Sequence, residues 1–156
     1  MFCEYYKSGK RQADLMEVLY RWLDTPFRHH CAVLNQGVDC IRFVAKVLEE
    51  TGVKKAINIP DYPRDWHMHT SDSLLVVGLV QRLPCFNVWA LNRMESPMNG
   101  DIILYQSGKA VSHAGIYFDE KVYQSLYPTG VLFKMFQDQS WFPKRKFCFR
   151  IIKKVE

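Results

Sequence analysis

The sequence predicts an α+β fold, with N-terminal helices packed on one face of an antiparallel β-sheet. Three observations carry this. Apolar residues recur at helical spacing through the first half of the chain. After Pro84 the pattern changes to short β-branched and aromatic runs. Tight-turn signals separate those runs: Asn-Gly, Ser-Gly, Asp-Glu and Pro-Thr-Gly. Helices first and an antiparallel meander second is the signature of this class. At 156 residues the chain suits one domain with a real core and is short for two, so residues 1–156 are expected to form a single domain.

The first helix is expected in "RQADLMEVLYRWLDT", where Leu15, Val18, Leu19 and Trp22 share a face and Pro26 stops the helix. The second lies in "NQGVDCIRFVAKVLEETG". Gly37 offers a turn, Asp39 caps, Gly52 terminates, and Cys40, Phe43, Val44, Val47 and Leu48 face the core. Arg42, Lys46, Glu49 and Glu50 occupy the opposite, polar face. "IPDYPRDW" reads as an extended, proline-punctuated segment, and "SDSLLVVGLVQRL" as a third helix capped by Ser71 or Asp72. The strands are "DIILYQ", "AVSHAGIYF", "KVYQSLY", "GVLFKMF" and "KRKFCFRII".

Composition narrows the function. At 48% hydrophobic and 14% aromatic the chain is globular and ordered. No apolar run spans a bilayer, Leu74–Val80 being the longest, and no apolar segment follows a basic start, so neither a membrane span nor a secretory signal is expected. The five cysteines, at 3, 31, 40, 85 and 148, are an odd number with no C-x-x-C pair. That argues for a reducing compartment and against a disulfide framework or structural zinc. The net charge of +5 suits an anionic partner without selecting one. The basic run "PKRKFCFRIIKK" alternates with apolar residues as a half-exposed strand would, and no nucleic-acid-binding motif accompanies it.

Chemistry enters at Cys40. A thiol at a helix start lies beside N–H groups that lack intrahelical partners, and the helix macrodipole there favours the thiolate. The plainer alternative is a small buried hydrophobe next to a cap. A nucleophilic thiol needs a base, and a third group to orient that base. His29, His30, His67 and His69 lie in polar or proline-flanked stretches read as loops, and the His67-x-His69 pair lacks further metal ligands. His113 stands inside the apolar run "AVSHAGIYF", as a base, a satisfied core histidine or a residue of the solvent face. Gln124 falls in the next strand beyond a tight turn at Asp119-Glu120, within reach of the His113 face.

These segments together resemble the NlpC/P60 family of papain-like cysteine peptidases, most closely its phage-tail branch, from about Leu15 to Val131. "WLDTPFRHH" is similar to the family's W-x-G-T-P-Y-R-H segment, and "GVDCIRFVAKVLEETG" to its G-V-D-C helix opening. "YPRDW" is similar to a Tyr-x-x-Asp-Trp segment of the phage branch. "MNGDIILYQSGKAVSHAGIYFDEKVYQSLYPTGV" resembles the strands that carry the family's histidine and third catalytic position. The resemblance implies Cys40 as nucleophile, His113 as general base and then acid, and Gln124 as the orienting residue. It implies no metal or organic cofactor.

Two departures touch the substrate side. Phe27 stands where the family has Tyr, and Ile41-Arg42 where it has Ser-Gly. Asp39, Phe27 and Ile41 are the implied substrate-binding positions, with Asp39 keeping the carboxylate that relatives use to hold a free amino end. The expected substrate is a peptidoglycan stem peptide, cut between D-glutamate and the diamino residue. Phage tail proteins are the implied partners, with synthesis in the cytoplasm and delivery on the particle. The alternatives are a tail-associated binding module of the same fold with little or no turnover, and a cytoplasmic thiol amidase or acyltransferase acting on a small molecule.

Overall fold

The computed structural model describes residues 1–59, 78, 81–90 and 96–155. Helix α1 spans Gly9–Trp22, with the Ser8 hydroxyl accepting the Arg11 N–H at its start. Leu15, Val18, Leu19 and Trp22 are buried, as the apolar spacing requires. The helix stops at Trp22, short of Pro26, and Asp24 adopts a φ of 70° just beyond it. Helix α2 spans Cys40–Glu50, capped by Asp39 and followed by Gly52 at a φ of 87°. One expectation fails here. Arg42 is buried rather than on the polar face, along with Ile41 and Ala45. Its charge is accommodated because Asp39 and the Ile59 carbonyl both accept from the guanidinium.

The segment "YPRDW", His67 and His69 lie outside the described residues. Of the expected third helix only its later part is described, with Gly78, Gln81 and Arg82 helical. No helix among the described residues is long and apolar enough to cross a membrane.

The strands are β1 (Phe2–Glu4), β2 (Ala32–Val33), β3 (Gly37–Val38), β4 (Cys85–Ala90), β5 (Ile102–Ser107), β6 (Ala110–Phe118), β7 (Lys121–Leu126), β8 (Gly130–Met135) and β9 (Arg145–Lys154). Strands β5 to β8 form the expected antiparallel meander. β9 does not extend it: the main sheet runs β1-β9-β5-β6-β7-β8, so the last strand crosses back to pair with β5. β1 and β4 then add to the far edge of β9. The strap that makes this crossing, from Phe136 through a 3₁₀ turn at Phe142–Lys144, passes over the sheet face away from the helices.

Each sheet face therefore has its own core. On the helix side Ile102, Leu104, Val111, Ala114, Ile116 and Tyr123 meet Leu15, Leu19, Phe43, Val44 and Val47. On the other side Ile103, Tyr105, Tyr117, Val122 and Cys148 meet Phe136, with Trp141 and Phe142 closing over them. A bulge interrupts the alternation of β6. Tyr105 pairs with His113 but Gln106 pairs with Val111, leaving Ser112 without a counterpart. Val111 and Ala114 can thus both face the helices although they are three apart.

Register also explains Gly115. Ile116 pairs with Tyr123 and Tyr117 with Val122, which places Gly115 across from Gln124. A Cβ on Gly115 would sit 2.5 Å from Val122 Cγ1, 3.0 Å from the Tyr123 carbonyl oxygen and 3.3 Å from Gln124 Cβ. Gly115→Ala should therefore destabilise the protein by about 1–3 kcal/mol through overpacking. Urea denaturation measures it, and an unchanged midpoint would refute this packing.

Candidate active site

The entry into α2 is held from two sides. The Val38 N–H donates to the Pro26 carbonyl, and the Ser125 hydroxyl of β7 donates to the Val38 carbonyl at 2.7 Å. The Asp39 N–H donates to the Cys31 carbonyl. The Asp39 carboxylate, 2% exposed, accepts from the Arg42 N–H at 2.9 Å, the Arg42 guanidinium at 2.7 Å and the His30 N–H at 3.0 Å. This fixes Cys40, the next residue, against β6. Its thiol donates to the Ser112 carbonyl at 3.8 Å, one residue before His113.

His113 is buried on the strap side of the sheet, beside Tyr105 at 5.8 Å and Trp141 at 4.8 Å between ring centroids. Its Nε2 lies 2.7 Å from Oε1 of the fully buried Gln124. Gln124 is placed diagonally, across from Gly115, and the missing side chain at Gly115 leaves it room to reach the ring. The Gln124 amide nitrogen donates to the Val122 carbonyl at 3.2 Å. That bond assigns the amide orientation, so Oε1 must accept and Nε2 must carry the proton. Nδ1 is left as the acceptor. Among the described residues no hydrogen bond joins the thiol to the imidazole, whose partners are Ser112 and Gln124 respectively.

Burial dominates the electrostatics. It pushes the Cys40 thiol up to about 12, and the neighbouring Asp39 carboxylate acts in the same direction. Backbone N–H groups of Ala114, Ile41 and Cys40 pull the other way and are outweighed. Cys40 as a residue keeps part of its solvent exposure. The thiolate that the helix start predicts is therefore not the resting state. Burial also lowers His113 to about 4, against the raising effect of its bond to Gln124, and Lys144 lowers it further. Both groups rest neutral near pH 7.

The other expected positions separate. Phe27 is half-buried, bridged to Val38, and packs edge-on against Tyr127 at 5.5 Å. Ile41 is 4% exposed and belongs to the helix-side core, so it offers a ligand almost no surface. The Asp39 carboxylate is already engaged by Arg42 and by two backbone N–H groups. Sequence reasoning missed the Arg42 pairing, although an acid and a base three apart at a helix start signal it. It also missed Trp141 over His113, which "QDQSWFPK" marks as an aromatic pair in a polar stretch. Among the described residues no three His, Cys, Asp or Glu side chains converge as a metal site.

With this fold and geometry in place, comparison supplies the family. The sequence pattern of the NlpC/P60 family matches residues 19–144, and the chain belongs to that family. No curated protein matches it in sequence. Among solved structures, the NlpC/P60 domain of the peptidoglycan hydrolase SagA superposes with a TM-score of 0.58 at 16% identity, over 88% of this chain and 96% of that one. An NLP/P60-family protein similar to a lipoprotein, from Staphylococcus aureus subsp. aureus Mu50, gives 0.62 at 18% identity, over 97% and 45% of the two chains. An N-acetylmuramoyl-L-alanine amidase from Bacteroides uniformis ATCC 8492 gives 0.55 at 14% identity, over 93% and 100%. At these identities the likeness is one of fold.

Two measurements follow from the neutral pair. With a folded value near 4 against an ordinary value near 6.5, His113 binds fewer protons folded than unfolded across that window. Stability should fall as pH drops from about 6.5 to 4, by about 3 kcal/mol from this group. Urea midpoints of wild type and His113→Gln at pH 7 and pH 4 should diverge accordingly, and parallel curves would refute a buried neutral imidazole. The second measurement is the rate of Cys40 alkylation by iodoacetamide against pH. It should still be climbing above pH 9; a plateau below pH 7 would show a resting thiolate instead.

Proposed function

We propose that this chain is a thiol-dependent cell-wall peptidase that hydrolyses an amide bond in peptidoglycan stem peptides, with residues 1–156 acting as one catalytic domain. The observation that carries the reading is the 2.7 Å contact between His113 Nε2 and Gln124 Oε1, with the amide locked by the Val122 carbonyl. It leaves Nδ1 as a directed base on the strand residue next to the thiol's own partner, Ser112. Two fold relatives, a peptidoglycan hydrolase and an N-acetylmuramoyl-L-alanine amidase, support this substrate class.

In the proposed mechanism the bound carbonyl approaches Cys40 and water leaves. Nδ1 of His113 takes the thiol proton as sulfur bonds to the carbonyl carbon, so neither free ion has to exist beforehand. The Cys40 backbone N–H, at the helix start, is among the donors to the developing oxyanion. His113 then gives its proton to the amine as the C–N bond breaks. Water, deprotonated by the same nitrogen, opens the thioester to release the acid and restore the thiol. Gln124 holds the ring but carries no charge to stabilise imidazolium, in contrast to a carboxylate.

The bond between D-glutamate and the diamino residue is the proposed point of cleavage. At Asp39 a free amino end would compete with the Arg42 guanidinium, so Phe27 and Tyr127 carry more of the recognition. Delivery with a phage tail is the companion proposal, and it rests on the Tyr-x-x-Asp-Trp likeness at residues 62–66. A binding module of the same fold is the second reading, favoured by the absence of a thiol–imidazole hydrogen bond among the described residues.

The deciding experiment incubates purified protein with defined muropeptides and follows products by mass spectrometry. Cleavage at the D-glutamyl bond, lost on the order of 10³-fold in Cys40→Ala and His113→Ala, supports the peptidase. Gln124→Ala should lose far less while staying folded. Intact stems with an alkylatable Cys40 would move the reading to another amide substrate, and intact stems with an inert Cys40 to the binding module.

A further inference from the structure

The strap between β8 and β9 does more than carry the chain across the sheet. Asp138 organises it: the Asp138 carbonyl accepts the Trp141 and Phe142 N–H groups, and its carboxylate accepts the Ser140 N–H and hydroxyl. The Lys144 N–H returns to the Trp141 carbonyl at 2.9 Å. Phe142 stands edge-on to Phe136 at 5.5 Å, and the Arg145 guanidinium lies 3.4 Å over the Phe142 ring. These contacts hold the backbone on both sides of Trp141. Its ring is tilted 35° to the His113 ring and meets Tyr105 edge-on at 5.4 Å. The Lys144 ammonium lies over the same indole, 4.9 Å from its centroid.

We propose that Trp141 and Lys144 are positioning residues for His113: the indole seals the imidazole–Gln124 hydrogen bond from water and fixes the ring plane, and the ammonium keeps a proton off the ring in acidic solution. This rests on the catalytic reading of His113 above, but it concerns the ionisation of that ring and is measurable without turnover. A cation near a desolvated imidazole penalises a second positive charge, and the solvent around the exposed Lys144 weakens that effect without abolishing it. The hydrogen bond to Gln124 favours imidazolium, so without the strap's opposition the base would be lost at mildly acidic pH. The remaining titratable or charged groups are Tyr105 on β5, which packs on the ring and is itself faced by Asp138 on the strap and Arg145 at the start of β9, and Cys40 at the start of α2, with Asp39 beside it. Tyr105 and Cys40 are both held neutral by burial. Of the two cations, Lys144 is the one that acts on the imidazole.

The test is the NMR titration of the His113 Cε1–H in wild type, Lys144→Glu, Trp141→Leu and Trp141→Phe. Lys153→Glu, a distant exposed site on β9, is the control for net charge. Lys144→Glu alters an exposed side chain and keeps the strap's backbone bonds, so its fold should survive. Its midpoint should rise by about one unit. Trp141→Leu should move the midpoint further toward the ordinary histidine value, and Trp141→Phe should restore most of the shift. The acid limb of kcat/KM should move by the same amounts, whereas a purely structural role would lower activity equally at every pH. Midpoints for Lys144→Glu and Trp141→Leu that coincide with wild type, or a Lys153→Glu shift as large as that of Lys144→Glu, would overturn the proposal. Should no muropeptide be cleaved, the peptidase reading fails while the titration still decides the strap.

Discussion

The buried carboxylate of Asp39 is the constraint on which the rest of the site depends. One group caps α2, receives the loop through the His30 N–H and neutralises an arginine that the helix buries. Each task alone is ordinary. Together they make the start of α2 rigid, because a buried pair broken on one side leaves an uncompensated charge at a cost of about 3–5 kcal/mol. Cys40 inherits its position from this arrangement. Val38, pinned by Pro26 and Ser125, supplies the other half of the clamp.

The same carboxylate decides the charge state of the thiol. A helix start helps an anion by about 0.3–1 kcal/mol when exposed and by up to about 2 when partly buried, which is one to two pK units at most. Desolvation of a buried group reaches about 3–5 units in the opposite sense. With Asp39 adding a negative charge next door, the macrodipole loses and Cys40 rests as a thiol. His113 follows the same logic in mirror image, since burial disfavours imidazolium more than Gln124 favours it. At rest, burial therefore holds both Cys40 and His113 uncharged.

What was legible in the sequence was local. Leu15, Val18, Leu19 and Trp22 declared α1 by spacing, Asp39 and Gly52 bounded α2, and the β5–β8 runs announced themselves by residue type and by turns. What was not legible depends on partners distant in sequence. Nothing in "KRKFCFRII" says that this strand pairs with β5 rather than β8, because periodicity identifies a strand and not its neighbour. β1 is three residues long and gains its identity from β9. Arg42 reads as surface by type and becomes core only because Asp39 and the Ile59 carbonyl await it. The structure brings His113 and Gln124 into contact, and Cys40, His113 and Gln124 were legible as candidates by type and order. Their ionisation was not, since it follows from burial.

Cys40 and His113, the proposed nucleophile and base, both come to β6 but from different elements. Cys40 meets the backbone of β6 at the start of α2, while the His113 ring lies on the strap side, beside Tyr105 and Trp141. In a regular strand the period of two would hold such groups on opposite sides of a packed layer. The bulge at Ser112 interrupts that alternation. It lets Val111 and Ala114 both serve the helix-side core, brings the Ser112 carbonyl to the thiol and presents His113 one residue on. A β6 without the extra residue would keep its hydrogen bonds but place Val111 or His113 on the wrong face. The irregular residue thus sets which face each of Val111, His113 and Ala114 takes.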